Sequence, residues 1–329
     1  MGTVRIGGRR YSDPDVLALT AETGELVDPR SAVLNQARRV NAEYRSHDPG
    51  FSDPLQRIKI IASLRGLRVA PMSIERCRGE QRDAVLMPAQ RGMQILFNPD
   101  RPKHRIAFSI AHEISHTFFR SSISGARFRS IHESESREAN ELERLCDLGA
   151  AELLMPIEDF QVVAAGNYSL RAVDQLANEF GSSFEATTYR LATANPGRAV
   201  AGLLKFRLTL PEQRAADKEL TQRGLFANLP TQNLDMKPKY RRQSLHLSEC
   251  CNEKYRIHWN KSFDPSSVVY KAVEKAAATA FEELPNGSGK TGKLEAVFAP
   301  YQRDDAHSEF RDVLFFWQEL DPRVTAKTH

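Results

Sequence analysis

The sequence predicts an α+β fold: a mostly helical domain that carries a small sheet, followed by a smaller α+β unit. Three observations lead there. Apolar residues recur at helical spacing through most of the chain up to Asn195. Short apolar runs broken by Gly and Pro cluster between residues 68 and 99, grouped together and not alternating with helices as a doubly wound fold requires. A polar stretch at 211–244, containing QRAADKELTQR and MKPKYRRQ, then precedes a C-terminal part with its own strand-like and helical runs.

Residues 1–30 alternate polar residues with Gly and Pro and are expected to be a loosely packed lead-in. Val33, Leu34, Ala37, Val40 and Tyr44 space a helix over 31–46. Asp53-Pro54 starts the next one, with an N-cap and a proline at the first helical position. Ile58, Ile61 and Leu64 form its apolar stripe, and Gly66 stands where a C-cap glycine belongs. RVAPMSI (68–74), DAVLMPA (83–89) and MQILFNP (93–99) read as strands. After the Asn98-Pro99-Asp100 turn, Ile106, Ala107, Ile110, Ile114 and Phe118 mark a helix over 102–121. Another spans 134–154 and stops before Pro156.

The segment 169–195 predicts helices at 169–180 and 184–194 joined at Gly181, a helix-turn-helix-like arrangement. Only Arg190 on its second helix is a plausible DNA contact, and Glu179 and Glu185 repel phosphate, so these helices are read as buttresses. RAVAGLLKFRLT (198–209) is a strand. Beyond the polar stretch come strand-like YRIHW, a helix near 266–284, and the apolar runs LEAVFAPY and VLFFWQEL. The predicted organisation is a lead-in at 1–30, a first domain at 31–210, a linker at 211–244 and a recognition or regulatory unit at 245–329.

The net charge of +4, from 46 basic and 42 acidic residues, argues against a dedicated nucleic-acid-coating surface. Direct nucleic-acid binding is accordingly disfavoured. Cys77, Cys146, Cys250 and Cys251 lack the spacing of a disulfide framework and read as reduced thiols. There is no apolar run near the roughly 20 residues of a membrane span, and no apolar signal region follows Met1. The expectation is a cytoplasmic protein with no membrane partner.

The chemistry concentrates in AHEISHTFF. His112 and His116 lie four apart on a helix, so both imidazoles leave one face and can share a metal ion. Glu113 can reach a water on that ion and take its proton. A catalytic zinc keeps three protein ligands and one open position, so a third ligand must come from another element. The next long helix offers Glu133, Glu135, Glu138, Glu141, Glu143 and Glu152. Glu143 has a carboxylate, Asp147, at i+4. One can bind metal while the other holds the second ring nitrogen of a ligating histidine. Glu138 and Glu141 have Leu142 and Leu145 at that offset.

The pair AFSIAHEISHTFF (107–119) and ERLCDLGAAELLMP (143–156) resembles the ImmA/IrrE family of metallopeptidases over about residues 30–205. Glu143, Cys146, Asp147, Ala150, Ala151, Leu153, Leu154 and Pro156 stand in register with the family's second motif. Asp147 replaces a common Asn, and the charged stretch SGARFRSIHESESREAN lies between the motifs. The resemblance implies a gluzincin-like domain, Zn2+ held by His112, His116 and Glu143, and site-specific cleavage of a regulatory protein. A DNA-bound repressor or a neighbouring-gene product is the implied substrate, in a bacterial stress-response, mobile-element or phage-defence setting.

NGSGKTGK (286–293) is no phosphate loop: Leu284 replaces the first glycine, so a hairpin or connecting loop is expected. His132 and Tyr168 are candidates for oxyanion stabilisation, which this chemistry needs. His258 and His307 are unpaired. Two functions compete: a zinc endopeptidase, and a DNA- or protein-binding regulator whose metal site is structural or vestigial.

Overall fold

Regular structure begins where the sequence suggested a loose lead-in. β1 (Val4–Ile6) pairs antiparallel with β2 (Arg9–Tyr11). α1 (Pro14–Glu22) follows, its start held by the Asp13 carboxylate, which accepts the Asp15 N–H at 2.9 Å. Val16 and Leu19 of α1 are buried. The computed structural model describes residues 4–6, 9–22, 28–47, 53–73, 83–119, 137–225, 237–286, 288–299 and 312–319. These form two compact units, one of Met1–Val163 with Gln175–Ser183, the other of Ala164–Asp174 with Phe184–His329.

In the first unit, α2 (Pro29–His47) buries Val33, Ala37, Val40, Asn41 and Tyr44 along one stripe. α3 (Pro54–Leu64) starts as its sequence requires: the Asp53 side chain accepts the Gln56 N–H at 3.1 Å. Gly66 then turns the chain with φ 71°, a left-handed conformation that side chains disfavour. β3 (Leu67–Pro71), β4 (Ala84–Pro88) and β5 (Met93–Phe97) form a sheet of order β3-β5-β4, with β3 parallel and β4 antiparallel to the central strand. β4 is therefore an edge. α4 (Lys103–His116) and α5 (Arg137–Leu154) pack against each other, and α2 and α3 cover their inner faces. α6 (Ile157–Ala164) and α7 (Val173–Phe180) complete this side, with the Phe160 and Phe180 rings stacked at 5.4 Å.

A buried arginine ties three helices together. Arg57 of α3 donates to Asn41 Oδ1 of α2 at 3.3 Å and to the Leu153 carbonyl at the end of α5. Asn41 in turn donates to the Glu152 carbonyl at 2.9 Å. These bonds satisfy last-turn carbonyls that a helix cannot pair internally. Burial pushes the Arg57 guanidinium below the usual arginine range.

Gly149 lets α5 approach α4. A Cβ there would lie 2.7 Å from Ser115 Oγ and 3.1 Å from a Val33 methyl, inside normal contact on both sides. Ser115 is fully buried, with its hydroxyl donated to the Ala111 carbonyl at 2.9 Å.

The second unit is built on an antiparallel sheet. α8 (Phe184–Thr193) precedes β6 (Ala199–Arg207), α9 (Leu210–Leu225), β7 (Lys239–Arg242), β8 (His246–Leu247), α10 (Val268–Lys275), β9 (Ala277–Glu283), β10 (Thr291–Phe298) and β11 (Val313–Glu319). Strand order is β7-β6-β11-β10-β9, with β8 also on β6. Both faces of β11 are covered. Val313, Phe315 and Trp317 join the core under α10, while Leu314 faces the cluster with Leu203, Phe184 and Tyr189. Two-sided burial is why VLFFWQE reads as an unbroken apolar run.

Several expectations change. The division falls at 164–184, not in a linker at 211–244, because β6 is an interior strand of the second unit's sheet. The first domain therefore does not extend over 31–210, and the C-terminal unit begins before 245. The polar stretch carries α9 and β7, and its residues 226–236 lie outside the described ones. The helix-turn-helix-like segment 169–195 divides between the units: α7 belongs mainly to the first and α8 to the second. YRIHW is not a strand. Tyr255 and Ile257 are buried while Arg256 and His258 are exposed, so the alternation is real, but the backbone lacks a ladder. The helix expected over 266–284 stops at Lys275, Ala276 takes φ 66°, and the alanine-rich remainder pairs with β10. NGSGKTGK connects two antiparallel strands, as expected of a connecting loop.

Gly149→Ala should lower unfolding free energy by about 1–3 kcal/mol, the usual range for overfilling a packed contact. Urea unfolding at unchanged m-value measures it, and adding Ser115→Ala should recover part of the loss. An unshifted midpoint in the single variant would show that the close approach constrains nothing.

Candidate metal centre

α4 divides its side chains by function. Ile106, Ala107, Ile110, Ala111, Ile114 and Ser115 fill the core. His112, Glu113 and His116 emerge between them on the opposite side. α5 does the same, with Leu142, Leu145, Cys146, Ala150 and Leu153 buried and Glu143 and Asp147 turned outward.

The two helices bring both pairs together. His112 Nε2 lies 3.1 Å from Glu143 Oε2, and His116 Nε2 lies 3.8 Å from the same oxygen. The opposite ring nitrogens face other groups of α5: His112 Nδ1 meets Asp147 Oδ1 at 2.9 Å, and His116 Nδ1 meets Cys146 Sγ at 3.4 Å. Each imidazole thus has its Nδ1 engaged and its Nε2 directed at one shared carboxylate. The imidazoles are mostly covered, whereas Glu143 and Asp147 are about half open to solvent.

The spacing suits a metal ion. Tetrahedral bonds of about 2.0–2.2 Å put ligand atoms roughly 3.3–3.6 Å apart, and the two observed separations straddle that range. His112, His116 and Cys146 also form a compact donor set, with ligand atoms all within 4.8 Å of one another. The thiol, however, approaches the Nδ1 side of His116, away from the two converging Nε2 atoms.

Glu113 stands beside this cluster and turns to the sheet. Its Oε2 accepts the Leu86 N–H of edge strand β4 at 2.9 Å. The sequence did not reveal that contact, nor the Cys146 contact, although Cys146 sits in the motif beside Asp147. Glu152 is buried and engaged elsewhere, 3.5 Å from Arg38 Nε and accepting the Ile157 N–H at 3.2 Å. Glu133, Glu135, His132 and His307 lie outside the described residues, as does the side chain of Glu138. Tyr168 donates to the Ala194 carbonyl at 3.3 Å within the second unit, and His258 is exposed.

Residues 67–192 match the IrrE N-terminal-like domain, the Peptidase_M78 family. That stretch belongs to this family. The Peptidase_M78 match runs from β3 into α8 and includes every residue of the cluster, while α2 and α3 precede it. No curated protein matches the chain. A solved structure of a Mycobacterium tuberculosis transcriptional regulator has a similar fold, with a TM-score of 0.52 at 12% identity over 92% of this chain and 80% of that one. No helix among the described residues is long and apolar enough to cross a membrane. The Peptidase_M78 assignment makes this a peptidase-family domain with a metal-compatible cluster.

In the metal-free protein His112 holds a proton strongly. Burial alone would lower its pKa, but hydrogen bonds to Asp147 and Glu143 and the nearby Glu113 charge outweigh it and raise it from 6.5 to about 10. A raised folded-state pKa contributes stability that is complete below about 6.5 and lost as pH rises toward 10. Chelator-treated protein should therefore lose stability across that window in urea titrations, and His112→Gln should flatten the decline. Equal slopes in both proteins would remove His112 as its source.

Proposed function

We propose that the chain is a zinc-dependent endopeptidase that cleaves a specific protein, with His112, His116 and Glu143 as metal ligands and Glu113 as general base. The observation that carries this reading is the convergence of two Nε2 atoms on Glu143 Oε2, with each Nδ1 occupied by a separate group. Zinc held there would supply Lewis acidity toward a water and the scissile carbonyl. Asp147 accepts the His112 Nδ1–H and so fixes the tautomer that leaves Nε2 able to coordinate. Cys146 serves His116 in the same position. Glu113 takes a proton from the attacking water and delivers it to the leaving nitrogen, while the Leu86 N–H holds the carboxylate by its Oε2.

The substrate reading follows the family resemblance: a regulatory protein, such as a DNA-binding repressor or a neighbouring-gene product, inside a bacterial cell. The alternative is a regulator whose metal site is structural. A structural zinc fills all four positions with protein atoms, and the compact donor set of His112, His116 and Cys146 is the observation that favours it. A carboxylate at Glu113 outside the converging set favours the enzyme, because a closed structural site has no use for a base.

The two readings differ in what Cys146 does. Glu143→Ala should abolish stable metal retention after dialysis against a weak chelator. Asp147→Ala and Cys146→Ala should each weaken affinity by roughly 10–100-fold, as partners of ligands do, and Glu138→Ala should change nothing. Metal content by mass spectrometry reads the order. Cys146→Ala as metal-free as Glu143→Ala would favour the structural site.

Glu113→Gln should retain metal and lose cleavage. The readout is new protein N-termini in a bacterial lysate containing candidate substrates, incubated with metal-loaded wild type or variant. The same termini from both proteins would exclude Glu113 as the base.

A further inference from the structure

We propose that the second unit carries a binding site for single-stranded nucleic acid, centred on Trp259 and independent of the metal centre. The indole is half exposed at 50%, uncommon for a side chain of its size, and sits on a loop held firmly from below. The holding group is Arg241. Its guanidinium is buried, donates to the Asn260 and Arg207 carbonyls and lies 3.3 Å from Glu212 Oε2. Trp259 is thus presented on a fixed platform.

Two guanidiniums lie over the ring, Arg242 at 4.3 Å and Arg207 at 5.7 Å from its centroid. Arg207 also donates to the Arg242 carbonyl at 2.7 Å, so the two side chains are held side by side. Arg242 Nε is buried without a hydrogen-bond partner. Burial, together with the charges of Arg256 and Arg207, pushes the Arg242 guanidinium below the usual arginine range. Such clustering of cations is unfavourable unless an anion joins them.

The surrounding chain has the same sign. From Lys237 to Lys261 there are seven Lys or Arg against two Asp or Glu, although the whole protein carries only +4. Lys237, Lys239, Arg256 and Lys261 are exposed. Glu253 offsets Arg256 locally at 3.1 Å, and Glu212 is engaged by Arg241.

An exposed aromatic ring within an arginine cluster fits a ligand that offers both stackable faces and phosphates. Arginine forks match phosphate geometry, and indole stacking accepts any base. Duplex DNA keeps its base faces hidden, and an acidic peptide offers charge without stacking. Single strands supply both. The small net charge of the whole protein had obscured a patch that folding gathers from β6, β7 and the Trp259 loop.

The test uses the full chain and a fluorescein-labelled oligothymidylate of about 15 nucleotides, within the span of known single-strand sites. Anisotropy should show saturable binding that weakens with salt. Trp259→Ala and the exposed-site variant Arg256→Gln should each weaken binding by about fivefold or more. Native tryptophan fluorescence should respond in the wild type, since the other tryptophan, Trp317, is fully buried. Glu113→Gln and chelated protein should bind unchanged, separating this site from the peptidase reading. No binding at low salt, undiminished binding by Trp259→Ala, or equal competition by duplex DNA or polyglutamate would overturn the proposal.

Discussion

All the proposed metal ligands come from two helices, α4 and α5, so the separation between their axes sets the site. That separation is defined where Gly149 meets Ser115, a contact with no room for a methyl group. Helix axes pack about 8–10 Å apart according to the side chains between them, and an interface this lean brings imidazole and carboxylate ends within ligand-to-ligand distance. The buried Arg57 supports the same arrangement at the far end of α5, where it binds the Leu153 carbonyl. The proposed metal site is a consequence of backbone packing before it is one of donor chemistry.

Electrostatics then arranges the donors. Two imidazoles and two carboxylates crowd one small region, and the structure separates their roles by ring face. Asp147 and Cys146 take the Nδ1 atoms, leaving Glu143 opposite both Nε2 atoms. Without a metal, His112 compensates by keeping a proton. Glu113, adjacent in sequence to His112, is drawn to the β4 edge by the Leu86 N–H. Neighbouring carboxylates thereby acquire different surroundings, as the proposed ligand and the proposed base require.

The second unit illustrates how packing overrides local pattern. Residues 277–283 contain three alanines and two glutamates that suit a helix, yet they form an edge strand because β10 supplies a full antiparallel ladder. Residues 255–259 alternate as a strand does, yet have no ladder and form the loop that presents Trp259. Propensity describes what a segment accepts; a hydrogen-bonding neighbour decides what it becomes.

Much of the first unit was determined by the sequence itself. Asp53-Pro54, Gly66 and the periodic apolar residues of α2, α3, α4 and α5 specify local structure through capping and burial, which act within a few residues. The HEISH spacing sets His112 and His116 on one helix face, and Glu143 with Asp147 likewise on another. What only the tertiary structure decided was contact between distant segments. The division of the chain at 164–184 depends on β6 finding β11 more than a hundred residues later. The Cys146 contact to His116, the Leu86 N–H on Glu113 and the gathering of Arg207, Arg242 and Trp259 arise the same way. None has a periodic or capping signature, because each depends on which surfaces meet once the helices and strands have packed.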